Sequence, residues 1–67
     1  MSIFCERLRH LRQEKGYSKS ALGKMLNVSH TTISRWEKGD IVPTIGYVYQ
    51  LSKIFNVSSD YLLGLEN

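Results

Sequence analysis

The sequence predicts an all-α protein, a compact bundle of five short helices forming one domain over residues 1–67. Two observations carry this reading. Apolar residues recur at three- and four-residue spacing along the whole chain, with no strand-like alternation. Residues that open or close helices also punctuate it at short intervals: serines and threonines as caps, and Gly16, Asn27, Gly39, Pro43 and Gly64 as breaks. A chain of 67 residues buries only about 60% of its unfolded surface, which excludes a second independent core.

Helix 1 is expected from about Ser2 to Lys15, with Phe4, Leu8 and Leu11 on one face and Gly16 as its stop. Ser18 caps helix 2, whose inner face is drawn through Ala21, Leu22, Met25 and Leu26, and Asn27 ends it because Asn tolerates the left-handed conformation. Ser29 caps helix 3, with Ile33 and Trp36 one turn apart and Gly39 closing it. The connection between helices 2 and 3 is therefore very short. After the link DIVP, Thr44 caps helix 4, which carries Ile45, Val48, Leu51, Ile54 and Phe55. Ser58 or Ser59 caps helix 5, where Asp60 complements the helix dipole and Tyr61, Leu62 and Leu63 pack back before Gly64.

Composition excludes several classes. No apolar run approaches the roughly 18 residues of a membrane span, and the N-terminal stretch lacks the apolar centre of a secretory signal, so a soluble cytoplasmic protein is expected. Cys5 stands alone, which rules out an internal disulfide; with only two histidines beside it, a structural zinc site is also ruled out. Cys5 and His10 fall on helix 1 and His30 on helix 3, with no third group to orient a base, so no enzyme and no cofactor are expected. The net charge of +3 is modest, but its distribution is uneven. Residues 1–38 hold Arg7, Arg9, Arg12, Lys15, Lys19, Lys24, Arg35 and Lys38 against Glu6, Glu14 and Glu37, so a polyanionic partner should meet this half.

The segment NVSHTTISRWEKGD, residues 27–40, concentrates the functional signal. With Ile33 facing inward, a wheel at about 100° per residue puts Trp36 and Glu37 on the buried side and points Thr31 and Arg35 directly away. Ser34 and Lys38 flank that outward strip, and His30 lies in the first turn. The strip is short, cationic and rich in hydrogen-bonding groups, which suits a helix lying deep in a groove. Arg35 can form a bidentate bond to guanine O6 and N7, and Thr31 can offer a hydroxyl or a methyl group. Trp36 reads as core. Glu37, a carboxylate on the core side, needs a partner, and Arg12 late on helix 1 is the candidate for a structural ion pair.

The stretch GYSKSALGKMLNVSHTTISRWEKGDIVP, with the ending VSSDYLLG, resembles the Cro/C1-type (XRE-like) helix-turn-helix of phage and bacterial repressors. The resemblance spans about residues 4 to 64. It implies a lambda-repressor-like domain in which helices 2 and 3 form the motif and helix 3 enters the major groove of DNA. Carried over by position, His30, Thr31, Ser34 and Arg35 would face bases, while Lys19, Thr32, Lys38 and Thr44 would meet phosphates. The resemblance also implies the Arg12–Glu37 pair. Three positions depart from the family pattern. Lys19 replaces a usual Gln, so a Gln-specific bridge to helix 3 is expected to be lost; Gly23 replaces a common Ala, at about 1 kcal/mol in a helix interior, and is expected to permit closer approach of helices 2 and 3; and Asn27 replaces a frequent Gly.

The function implied is a sequence-specific transcriptional regulator, a repressor in the first instance, acting as a homodimer on a palindromic or pseudo-palindromic double-stranded operator. The dimer is expected to bury Tyr61, Leu62 and Leu65 and to place the two reading helices about 34 Å apart. No small-molecule effector is evident. The alternative is a protein-interaction module, such as an antitoxin or anti-regulator, that keeps the fold.

Overall fold

A computed structural model describes residues 3–66, and the expected start of helix 1 at Ser2 lies outside the described residues. Five helices follow in order: α1 Ile3–Lys15, α2 Lys19–Leu26, α3 His30–Lys38, α4 Ile45–Phe55 and α5 Ser59–Leu63, with no strand among the described residues. Each boundary has a chemical cause. Ser18, Ser29 and Ser58 sit in extended N-cap conformations, and their hydroxyls accept hydrogen bonds from the backbone N–H groups of Ala21, Thr32 and Tyr61. Ser58, not Ser59, is thus the cap of α5. Thr44 has the same backbone geometry before α4 but makes no side-chain cap bond.

The helices end in left-handed residues that return their N–H groups to the last carbonyls. Asn27 (φ 59°) closes α2 and Asn56 (φ 55°) closes α4, the latter a stop that the sequence reading did not assign. Between α2 and α3 the Val28 N–H donates to the Gly23 carbonyl at 2.8 Å. A Cβ on Gly23 would lie 2.5 Å from the Val28 oxygen. Gly23 therefore does more than weaken a helix: its missing side chain is what lets the turn fold back so tightly.

All five helices contribute to one core. It contains Phe4, Leu8 and Leu11 from α1, Leu22 and Leu26 from α2, Ile33 and Trp36 from α3, Val48, Leu51 and Phe55 from α4, and Leu62 from α5. Trp36 is buried and packs its ring 5.4 Å from that of Tyr47. Three expected core positions are exposed, one of them Leu63, which stands on α5 beside the inward Leu62. Met25 lies outside the Leu22, Gly23, Leu26 face, because the buried side of α2 turns toward Gly23 and the turn to α3. Ile45 stands in the first turn of α4, off the line through Val48, Leu51, Ser52 and Phe55 that packs inward.

Leu62 is a further correction. It was expected at a dimer surface, yet it is completely buried within the subunit, since α5 is a single short turn whose one inward position it fills. Residues 61–66 are held against α1 by Arg7. Its guanidinium donates to the Tyr61 and Glu66 carbonyls and lies 4.1 Å from the centre of the Tyr61 ring. A cation expected on the polyanion-facing half is thus taken up in joining α1 to α5.

Candidate nucleic-acid interface

The outward surface of α3 is set by what its inward surface holds. Ile33, Trp36 and Glu37 are buried, which turns His30, Thr31, Arg35 and Lys38 to solvent and leaves Thr32 and Ser34 half-buried at the edges. Exposed side chains with hydrogen-bonding or cationic ends therefore share one face, as the wheel predicts. The Ser29 hydroxyl, besides accepting from the Thr32 N–H, lies 3.2 Å from the Thr32 Oγ1. Thr32 is thereby engaged in the cap of its own helix.

The orientation of α3 is locked from behind. Arg12 Nε donates to Glu37 Oε2 at 2.6 Å and Arg12 Nη2 donates to Glu37 Oε1 at 3.0 Å, a two-pronged bond between α1 and α3. The third nitrogen, Nη1, donates to the Tyr17 carbonyl at 3.0 Å, so the same guanidinium also fixes the approach to α2. The hydrogen bond to Glu37 raises the Arg12 pKa above its ordinary value; burial opposes this and the charge of Glu37 adds to it. Glu37, a buried carboxylate on α3, is thus fully partnered.

Lys19, the first residue of α2, reaches across to α3 and donates from Nζ to Ser34 Oγ at 3.4 Å. In place of the Gln-specific bridge expected to be lost, an ammonium makes a different one, to Ser34. Thr44 is exposed at the head of α4 and shares with Thr32 a groove of about 330 Å³ lined also by Val28, Trp36, Val42 and Tyr47. Among the described residues, no group of three or more metal-ligating side chains comes together, and no helix is long and apolar enough to cross a membrane.

The residues expected at a dimer surface are not alike. Tyr61 is half-buried beneath Arg7, Leu62 is core, and Leu65 is exposed. Two further apolar side chains are exposed: Ile3, which the sequence reading did not assign, and Leu63, which it expected to pack inward. Ile3 lies against Gly64, where an added Cβ would fall 3.2 Å from its own Cβ. Helical spacing alone gives no sign that Ile3 and the α5 terminus meet, because 61 positions of chain separate Ile3 from Gly64.

Comparison with known proteins agrees with this architecture. The sequence model of a helix-turn-helix family matches residues 8–62. Over 58 residues, 87% of this chain, it is 36% identical to the HTH-type transcriptional regulator DicA of Escherichia coli strain K12, and the match covers 43% of that protein. It is 41% identical to repressor protein C2 of Salmonella phage P22 over 58 residues, 87% of this chain and 27% of that one. The chain thus spans less than half the length of these relatives. Its fold superimposes on a crystal structure of the P22 c2 repressor in complex with a synthetic operator, with a TM-score of 0.89, 36% identity and coverage of 98% of this chain and 100% of that one. With five helices, a three-residue turn between α2 and α3, and this family match, the chain belongs to the Cro/C1-type helix-turn-helix family.

Proposed function

We propose that the chain is a sequence-specific DNA-binding module of a transcriptional regulator, a repressor, that inserts α3 into the major groove of an operator. The observation that carries this reading is the outward face of α3, where His30, Thr31 and Arg35 are exposed and Ser34 is half-exposed on a helix whose opposite face is core. Arg35 and Thr31 are the principal base readers, with His30 and Ser34 beside them. Lys19, Lys38, Thr32 and Thr44 contact phosphates and set the register. Likeness to a repressor solved on operator DNA supports the same reading.

The module acts as a homodimer. Support comes from the exposed Leu65, joined by Ile3 and Leu63, at the meeting of α1 and α5. Tyr61 borders this surface. A two-fold pair then places its reading helices about 34 Å apart, one turn of duplex. The test is a titration with duplex DNA over a range of salt concentrations. Affinity should fall log-linearly with salt, since each neutralised phosphate releases condensed counterions. An affinity indifferent to salt would overturn the reading in favour of a protein-interaction module.

A further inference from the structure

We propose that Lys19 is a positioning residue that fixes the hydrogen-bonding polarity of Ser34 and so determines which bases Ser34 accepts; this rests on the DNA-binding reading above. Lys19 is the first residue of α2 and Ser34 the fifth of α3, and the three-residue turn sets the two helices at a distance that brings Nζ to 3.4 Å from Oγ. Both side chains are half-buried, so neither swings freely in solvent.

The chemistry of the bond is one-sided. An ammonium has three donors and no acceptor, whereas a hydroxyl has one donor and two lone pairs. In the Lys19–Ser34 bond the Ser34 oxygen must therefore accept, and its own hydrogen is left to point elsewhere. One lone pair of Ser34 remains, but the adjacent ammonium draws charge from the oxygen and crowds a second donor there, so Ser34 meets a base edge chiefly as a donor. Purine N7, guanine O6 and thymine O4 satisfy a donor in the major groove; the N4 amino group of cytosine does not. The two remaining N–H groups of Lys19 stay available to a phosphate, so a single side chain joins a sequence-blind contact to a base-reading one.

Selection of bound duplexes from a randomised pool, followed by sequencing, tests this with the unaltered chain, Ser34→Ala, Lys19→Met, Lys19→Arg and the Ser34→Ala/Lys19→Met double variant. Circular dichroism melts establish that each is folded. Ser34→Ala should relax one base pair at which the unaltered chain selects an acceptor. Lys19→Met should weaken binding to every duplex and, in addition, lower the preference at that same base pair by about 2- to 10-fold, the range of one net hydrogen bond. Lys19→Arg, which also has only donors, should keep the preference. The double variant should relax that position no further than Ser34→Ala does. If Lys19→Met leaves the base frequencies at that position intact, or if Ser34→Ala relaxes no position, the proposal is overturned while DNA binding stands. If the unaltered chain enriches no sequence, the DNA-binding reading itself is overturned.

Discussion

Arg12 holds both carboxylate oxygens of Glu37, at 2.6 and 3.0 Å, and thereby ties α1 to the inner face of α3. Removing one partner strands a buried charge, so Arg12→Ala should cost about 3–5 kcal/mol, a large share of what a domain of this size has. Arg12→Met combined with Glu37→Met should recover much of that loss, because two apolar side chains need no partner. Urea denaturation measures both. The raised pKa of Arg12 gives the sign of its pH dependence: the stabilisation is fully present below the guanidinium's ordinary range and is lost only as pH rises past the folded value. The Arg12 contribution should therefore stay constant across neutral pH.

Gly23 packs against the turn carbonyl of Val28, which leaves no room for a side chain. Gly23→Val should destabilise by about 1–3 kcal/mol through overpacking, although valine is a better helix former than glycine. A lowered thermal midpoint is the expected result.

Ser29 and Thr44 occupy equivalent N-cap positions but differ in what their hydroxyls do. Ser29→Ala should lower stability by about 1 kcal/mol, because it removes the bond to the Thr32 N–H. Thr44→Ala removes no cap bond and should leave stability within about 0.5 kcal/mol while weakening DNA binding. Parallel denaturation and anisotropy measurements separate the two.

Arg35→Ala should relax base preference at one position, losing about 1–3 kcal/mol of discrimination. Lys38→Ala should weaken all sequences alike and reduce the salt slope by about one. Identical behaviour of the two variants would contradict this division of roles.

Leu62 and Leu65 should separate folding from association. Leu62→Ala opens a cavity in the core and should cost about 2–5 kcal/mol. Leu65→Asp should leave the subunit folded and shift sedimentation toward monomer, since that side chain is exposed.

Much of the fold was legible because its punctuation is local. Ser18, Ser29, Gly39 and Gly64 act within a turn of where they stand, so spacing alone reveals them. The face of α3 was legible for the same reason: one buried anchor, Ile33, orients a helix of nine residues. What escaped depends on partners distant in sequence. Met25 and Ile45 carry apolar side chains at plausible helical spacing, and only the placement of neighbouring helices leaves them in water. Arg7 looked like one more surface cation, because nothing near it in sequence reveals that Tyr61 and Glu66 will arrive beside it. Lys19 is an intermediate case. Its place at the head of α2 was readable, but its bond to Ser34 needed the angle between two helices.

The tight turn between α2 and α3 has a mechanical consequence. With Asn27 in the left-handed conformation and the Val28 N–H bound to Gly23, backbone hydrogen bonds brace this corner, so the two helices are joined like the arms of a bent lever. Its short arm, α2, is eight residues or about 12 Å long. A shift of about 1 Å at Lys19 then tilts α3 by about 5°. A phosphate held at one end of the lever would thus aim the side chains carried by the other.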